Sequence, residues 1–339
     1  MGRGVMRLTA TDLGRDAGAT GFQTEPLEKV ILLLGLLETI RSHPFLKDRM
    51  ALKGGTALNL FTSNVPRLSV DIDLNYIGAV DRDGMLAERP KIEQALQAVC
   101  GRVGVQPRRV PSDHAGGKWR LSFNRAAGGT GSLEMDVNFM LRAPLWPVAR
   151  VDSHPLGTIQ AKDIPVVDIH ELAAGKLAAL LSRAASRDVF DASRLLRVTG
   201  LEPAKLRLAF VVYGGISRKD WRTVSVDDVT IDVAEADSKL VPLLRGQETP
   251  RRSELAQWTQ ALVSDCRELL SRVLPLADRE REFLERLNGN GEVAPEALTD
   301  DDRLQNIVRT HPGLLWKALN VRQHRGIGTY TAPPESDHV

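Results

Sequence analysis

A chain of 339 residues is long enough for two compact domains, each with its own hydrophobic core. Its hydrophobic and charged fractions, 42% and 26%, are typical of a globular protein, and a formal net charge of only +2 excludes a strongly basic protein that coats DNA. Cys100 and Cys266 stand far apart and form no metal-binding pattern, which argues against a zinc site and against a disulfide scaffold.

No stretch of the sequence approaches the roughly 20 apolar residues of a membrane helix, so no association with a membrane is predicted. The first residues lack the apolar core of a signal peptide. We therefore expect a cytoplasmic protein.

The first long helix is predicted to begin at Thr24, with this residue as its N-cap, and to end at His43-Pro44. Arg49–Leu52 is predicted to form a short strand. It runs into the turn Lys53-Gly54-Gly55-Thr56, and a helical run follows at Ala57–Phe61.

Residues Leu68–Tyr76 alternate between apolar and polar side chains, which is the period of a half-buried strand. The polar face of this strand carries four residues: Ser69, Asp71, Asp73 and Asn75. Met85–Val103 is predicted to be a helix. The segments Lys118–Asn124 and Ser132–Arg142 also alternate, which predicts an antiparallel hairpin.

From Asp168 onward the pattern is helical. Asp168 and Glu171 are spaced as in a capping box at the start of one helix, and a second helix begins near Asp188. The last residues, Tyr330–Val339, are predicted to form a disordered tail. These elements predict an α+β fold in which a mixed sheet with flanking helices is followed by a helical domain from about residue 165.

Asp71 and Asp73 are the residues most indicative of chemistry. They are two positions apart on one strand, so both carboxylates project from the same face of a rigid element. Two such carboxylates repel each other and attract a divalent cation, and Mg²⁺ prefers oxygen ligands together with substrate phosphates. An isolated Asp-x-Asp is more often a solvated strand face, so the neighbouring motifs decide its meaning.

The turn Lys53-Gly54-Gly55-Thr56 is the first of these motifs. Glycines let the backbone approach a phosphate closely, and amides at a helix start, together with the Thr56 hydroxyl, can bind anionic oxygens. Downstream, Asp136 is the best candidate for a third carboxylate, which would accept a proton from the attacking hydroxyl or complete a metal site. Glu134 lies on the same strand face and competes for this role.

Lys176 and Arg183 are seven residues apart on a predicted helix and therefore share a face, where two cations can bind a triphosphate or the departing pyrophosphate. Asp188 and Asp191 follow at the start of the next helix. A purely structural reading is helix capping with an ion pair to Arg187.

The basic residues are unevenly distributed along the chain. Between His170 and Arg222 there are ten Lys or Arg residues and five acids, so this segment carries a charge of +5 that would attract a polyanion.

Taken together, the turn at 53–56 and the run Arg67-Leu68-Ser69-Val70-Asp71-Ile72-Asp73 resemble the nucleotidyltransferase signature of the DNA polymerase β-like superfamily. The sequence most resembles the AbiEii/AbiGii toxin family of bacterial abortive-infection and type IV toxin–antitoxin systems. Lys176 and the block Arg187–Asp191 match that family in order and approximate spacing. The resemblance covers roughly residues 25–195.

The resemblance implies roles for individual residues. Asp71 and Asp73 would bind Mg²⁺. Family members differ in whether a strand acid completes the set, and the strand pattern makes Asp136 our candidate for that third metal ligand. Thr56 and Ser69 would contact the triphosphate, Gly55 would permit its approach, Lys176 would hold phosphate, and Lys53 would contribute at the edge of the turn. The turn and the helix face add Gly54 and Arg183 to the predicted nucleotide-binding residues. Asp188 would be essential to the site.

The order of the predicted elements gives a domain division, and the resemblance implies a function. N-terminal helices at 1–48 would pack on a catalytic domain at 49–165, followed by a helical domain at 166–329 and the tail. The expected activity is transfer of NMP from an NTP to an RNA 3′ end, with a tRNA acceptor stem as the acceptor and an antitoxin encoded beside the toxin. Modification of a small molecule or a protein hydroxyl, and a non-catalytic binding protein, are the alternatives.

Overall fold

A seven-stranded mixed sheet organises the first half of the chain, and helices pack around it and continue into a helical C-terminal region. The computed structural model describes residues 8–110, 116–198 and 200–327. The sheet followed by helices confirms the predicted α+β architecture. The tail at 330–339 lies outside the described residues.

The strands occur in the sheet in the order β3-β4-β5-β2-β1-β7-β6. Their bounds are β1 Met50–Lys53, β2 Asp71–Tyr76, β3 Gln106–Val110, β4 Gly117–Asn124, β5 Thr130–Asn138, β6 Ala149–Val151 and β7 Ile164–Val166. Strand β2 is antiparallel to β1 but parallel to β5, so two strands that are distant in sequence are neighbours at the centre of the sheet.

Twelve α-helical segments are found among the described residues, several of them linked by short 3₁₀ or π turns. Their bounds are α1 Ala10–Thr20, α2 Thr24–Ser42, α3 Gly54–Ala57, α4 Arg82–Val103, α5 Ile169–Arg183, α6 Ser186–Leu195, α7 Pro203–Ile216, α8 Val233–Glu235, α9 Leu255–Leu269, α10 Asp278–Asn290, α11 Asp302–Thr310 and α12 Pro312–Arg325. A π-helical turn, Leu58–Thr62, continues α3.

The predicted hairpin is present as β4 and β5, which pair along their whole length. Side chains alternate across the sheet plane, so Trp119 and Leu121 of β4 are buried while Lys118 and Arg120 face outward. The buried face packs against the helices α2 and α4 and forms the first hydrophobic core. The opposite face of β2, β5 and β4 stays polar, and this face carries the predicted site residues.

A second hydrophobic core fills the C-terminal half, where α5, α7, α10 and α12 pack on one another. Phe210 and Trp221 contact each other within it, with ring centroids 5.1 Å apart and ring planes tilted by 55°. Leu58 and Trp146, which precede this half in sequence, also belong to the second core. The helical region is therefore joined to the sheet through apolar contacts.

Some local predictions were wrong at the residue level. Helix α2 begins at Thr24, but its N-cap is Gln23 and no side chain caps it. The strand predicted from Leu68 begins at Asp71, because the Leu68 amide donates to the Leu243 carbonyl of the C-terminal half instead of to a neighbouring strand. Asp168 does cap α5, but Glu171 does not complete a capping box, because its side chain turns into the interior.

None of the helices in the described ranges combines the length and the apolar character that a bilayer crossing requires.

Replacing Gly214 in α7 with alanine is expected to destabilise the fold although alanine favours helix. An added Cβ would lie 2.0 Å from the buried Trp221 ring, and such overpacking costs roughly 1–3 kcal/mol. Gly35→Ala in α2 is the matched control, because a Cβ there meets nothing within 4 Å and is expected to stabilise by up to about 1 kcal/mol. Urea unfolding of the two variants measures both effects. Equal stabilities would contradict the tight packing of α7 on Trp221.

Candidate active site

The glycine turn after β1 closes tightly around the polar face of β2. Gly54 has a φ of +73°, and an added Cβ would lie 2.3 Å from Oδ2 of Asp73. At Gly55 a Cβ would lie 2.9 Å from the Ser69 hydroxyl. Glycine is therefore required here by the backbone conformation at Gly54 and by the close approach of two polar side chains.

Four carboxylates lie on one face of two adjacent parallel strands. Asp71 of β2 is in register with Glu134 of β5, and Asp73 is in register with Asp136. Glu134 forms a 2.7 Å ion pair with Lys118 of β4. The Glu134 charge is therefore already compensated by a lysine.

The two aspartates of β2 are electrostatically unfavourable as they stand. Partial burial and the neighbouring charge of Asp73 raise the pKa of Asp71, and Arg187, at 3.8 Å, opposes this only in part. No group of three His, Cys, Asp or Glu side chains in the described part of the chain is arranged around one metal position. The pair nevertheless consists of oxygen donors in mutual repulsion, which is a donor set that suits Mg²⁺.

A cavity of about 630 Å³ opens in front of these carboxylates, between the sheet and the helices α5, α6 and α7. One wall is formed by the glycine turn and the carboxylates, and the opposite wall by side chains of α5 and α7. Nearly all the predicted site residues line it: Lys53, Gly54, Gly55, Ser69, Asp71, Asp73, Asp136, Lys176, Arg183 and Asp188. Glu134 also lies on its surface.

Thr56 is the exception among the predicted site residues. It is fully buried, and its hydroxyl donates a hydrogen bond to the backbone carbonyl of Asp71. This geometry corrects the expectation that the hydroxyl reaches a phosphate oxygen. Thr56 instead holds the backbone of Asp71, the first residue of β2, from behind the cavity wall.

A buried network of charges joins the sheet to the helices beside the cavity. Lys176 of α5 contacts Asp188 at 2.9 Å and Asp191 at 2.8 Å, and these three side chains are 8%, 1% and 0% exposed. Arg67 binds both carboxylate oxygens of Asp191, at 2.7 and 2.6 Å. Arg183, whose side chain is largely exposed, donates to Asp188 at 2.7 Å.

The network keeps its members ionised despite burial. Burial alone would raise the pKa values of Asp188 and Asp191, but the adjacent cations outweigh this and lower both. Burial would likewise lower the pKa of Lys176, and its two carboxylate partners raise it instead. Lys176 therefore stays charged with both aspartates bound, while its side chain still borders the cavity.

Comparison with known proteins decides the family. The model of the family described as the nucleotidyl transferase AbiEii toxin of type IV toxin–antitoxin systems matches residues 35–287. The chain belongs to the AbiEii nucleotidyltransferase toxin family. Its enzyme class is therefore that of a nucleotidyltransferase, and family membership implies a nucleotide substrate and an antitoxin partner.

The fold of the toxin is also found among solved structures. MenT4, a nucleotidyltransferase toxin from Mycobacterium tuberculosis H37Rv, superposes with a TM-score of 0.58 at 19% sequence identity. The match covers 91% of this chain and 99% of MenT4. At this identity the comparison establishes the shared fold. A search of curated proteins found no match.

Three residues of the toxin site make contacts that the sequence did not predict. Arg67 and Asp191 form an ion pair whose side chains are 3% and 0% exposed. Both residues belong to motifs that the sequence singled out, but their pairing was not predicted. Arg187 was weighed as a partner of the helix aspartates, but it contacts Asp71 instead. The Arg-x-Ser spacing before Asp71 was the only sequence signal for Arg67.

The opposite wall of the cavity contains a buried carboxylate. Glu171 accepts hydrogen bonds from the Trp146 amide and from the Tyr213 hydroxyl, and it is 2% exposed. Burial raises the pKa of Glu171 to about 7, against an ordinary value of 4.5. Burial also raises the pKa of Tyr213, so its hydroxyl stays protonated and donates.

Removing Asp191 is expected to destabilise the toxin by roughly 3–5 kcal/mol, because Asp191→Ala leaves Arg67 and Lys176 charged and buried without their partner. The control is Glu254→Gln, which removes an exposed pair with Arg251 and is expected to cost at most about 1 kcal/mol. Denaturant unfolding measures both. A loss below about 1 kcal/mol for Asp191→Ala would contradict a tightly paired, dehydrated network.

Glu171 is expected to make stability depend on pH with an unusual sign. Because its folded pKa of about 7 lies above the ordinary 4.5, the folded state binds a proton that the unfolded state has lost, and stability falls as pH rises through this window. Glu171→Gln removes this contribution to the pH dependence of the free energy of unfolding. The free energy of unfolding of the variant, relative to that of wild type, should rise by about 3 kcal/mol between pH 4.5 and pH 8.

Urea unfolding at several pH values from 4.5 to 8 tests this, with Glu254→Gln as the exposed control. Other titrating groups are common to both proteins, so they cancel in the difference between variant and wild type. Parallel stability profiles would contradict the buried state of the Glu171 carboxylate.

Proposed function

We propose that this toxin transfers a nucleoside monophosphate from an NTP to the 3′ end of an RNA, with a tRNA acceptor stem as acceptor, in a Mg²⁺-dependent reaction that blocks translation. The observation that carries the proposal is the pair Asp71 and Asp73, which projects into one cavity beside a glycine turn and a set of cations. This combination suits a metal-loaded triphosphate.

Asp71 and Asp73 would hold the magnesium ion, with Asp136 as the third ligand. When bound, the metal neutralises charge on the phosphate oxygens during transfer. The raised pKa of Asp71 beside Asp73 supports this role, because a divalent cation would relieve the repulsion between the two carboxylates. Glu134, which is ion-paired with Lys118, is the other candidate for third acid, and we choose Asp136 because it lies in register with Asp73.

The triphosphate would lie along the glycine turn. Gly54 and Gly55 admit its oxygens to the backbone, and the Ser69 hydroxyl and the Lys53 ammonium would contact them from either side. Arg183 lines the cavity with a side chain that is 65% exposed, and it would bind the leaving pyrophosphate. Lys176 would act on the phosphates from the buried network, where Asp188 holds it in place.

The acceptor is activated by a carboxylate in this scheme. The terminal ribose hydroxyl attacks the α-phosphorus, the new P–O bond forms, and the bond to pyrophosphate breaks. The hydroxyl proton passes to the Asp136 carboxylate, which lies in register beside Asp73. Because tRNA is the acceptor, the reaction takes place in the cytoplasm, where an antitoxin encoded beside the toxin would restrain it.

The decisive assay incubates purified toxin with each α-labelled NTP, Mg²⁺ and total tRNA. Wild type is expected to label the RNA 3′ end, and Asp73→Asn to lower the rate at least about 100-fold, because the metal and the nucleotide lose a charged ligand. EDTA should abolish labelling, and added Mg²⁺ should restore it. Glu254→Gln, an exposed change far along the chain, should leave the rate unchanged.

The same assay distinguishes the alternatives. Label on a protein or on a small hydroxyl compound, with none on RNA, would overturn the acceptor while leaving the chemistry intact. A non-catalytic protein is indicated if no acceptor is labelled and Asp73→Asn arrests growth as strongly as wild type.

A further inference from the structure

The polar face that carries the carboxylates continues across two more strands, and there it becomes basic. In the paired register, Lys118 of β4 lies opposite Asp136, and Arg120 lies opposite Glu134. Arg108 of β3 lies opposite Arg120. Residues paired across a sheet share a face, and so do residues two apart on one strand. Lys118 and Arg120 of β4 and Arg108 of β3 therefore lie on one face, with Arg108 on the strand further from β2. We call these three residues the basic strand surface.

This surface is accessible to a large ligand. Arg108 is exposed, and the side chains of Arg120 and Lys118 are 61% and 38% exposed. The hydrophobic core lies on the other face of the same strands, under Trp119 and Leu121. Glu134 compensates Lys118 at 2.7 Å but lies 4.0 Å from Arg120.

The pair Arg108 and Arg120 is unfavourable for the fold itself. Like charges directly opposite each other on antiparallel strands destabilise a sheet, whereas an acid at either position would stabilise it. Two arginines that face each other in this register suit a bound anion, and the planar guanidinium groups match phosphate oxygens well.

The distance between β2 and β3 indicates how far the basic strand surface lies from the RNA 3′ end that reacts at the carboxylates. Neighbouring strands are about 4.8 Å apart, so β3 lies roughly 14 Å from β2 across the sheet. A nucleic-acid strand with a rise of about 3.4 Å per nucleotide covers that distance with about four nucleotides. A small acceptor held at the carboxylates would not reach Arg108.

We propose that the basic strand surface binds the phosphate backbone of the acceptor RNA strand, about three to four nucleotides from the 3′ end that reacts at Asp71 and Asp73. The proposal deepens the function proposed above and rests on it for the position of the reacting end. The surface adds affinity and orientation, and it leaves the chemical step to the cavity.

The test compares Arg108→Glu/Arg120→Glu with a control of equal charge change, Arg251→Glu/Arg252→Glu, whose arginine side chains are 83% and 91% exposed outside the cavity lining. Fluorescence anisotropy measures binding of a labelled single-stranded octaribonucleotide. We expect at least about a 10-fold weaker Kd for the first variant and little change for the control. Equal Kd values for the two variants would overturn the proposal.

A neutral variant, Arg108→Gln/Arg120→Gln, guards against misfolding caused by the new acids. Two phosphate contacts fewer should lower the slope of log Kd against log salt by about 1 to 2. An unchanged slope in a variant whose thermal unfolding matches wild type would also overturn the proposal.

The kinetic prediction separates the surface from the cavity. The charge-reversal variant should raise KM for the octaribonucleotide at least about 10-fold and leave kcat and KM for NTP unchanged. With a dinucleotide acceptor, which is too short to reach β3, wild type and variant should react equally. A fall in kcat with both acceptors would assign the arginines to the chemistry and overturn a backbone-binding role.

Binding and transfer also separate this proposal from the function on which it rests. If wild type binds RNA through these arginines but labels no RNA, the proposed transfer to RNA is contradicted while RNA binding by the basic strand surface is supported. If wild type binds no RNA, the surface is overturned whatever acceptor is labelled.

Discussion

The chain of charges from Arg67 to Lys176 links the two halves of this toxin beside the cavity, in addition to the apolar contacts between them. Arg67 precedes the strand with the two aspartates, Asp191 belongs to α6, and Lys176 belongs to α5. Their contacts are dehydrated and short, so the sheet and the helices are held at a fixed separation beside the glycine turn. The cavity is the space that this arrangement leaves, and the acids on one wall face cations held by the other.

Local chemistry was enough to predict the elements that form the first wall. Alternation identified the strand bearing Asp71 and Asp73, and the doubled glycine identified the turn that now packs against Asp73. Both signals depend on neighbours within a few residues, where side-chain periodicity and φ preferences act directly. The hairpin of β4 and β5 was predicted for the same reason.

Contacts between distant residues were harder to predict. The Arg67–Asp191 pair spans 124 positions, and nothing in the local pattern of either residue specifies the other. Glu171 shows how tertiary packing overrides a local rule, since its spacing from Asp168 fits a cap while its carboxylate is taken by Trp146 and Tyr213. Thr56 was misassigned because a hydroxyl beside a glycine turn looks the same whether it faces a ligand or the core.

The parallel pairing of β2 with β5 has a consequence for which changes the site tolerates. These strands are adjacent in space, yet α4, β3 and β4 lie between them in sequence. The two strands of the intervening segment form one edge of the sheet, and Lys118 of β4 contacts Glu134 beside the reacting groups. Side chains on the exposed face of β3 can therefore change without moving the two aspartates, so the groups that receive the acceptor can vary separately from the groups that make the bond.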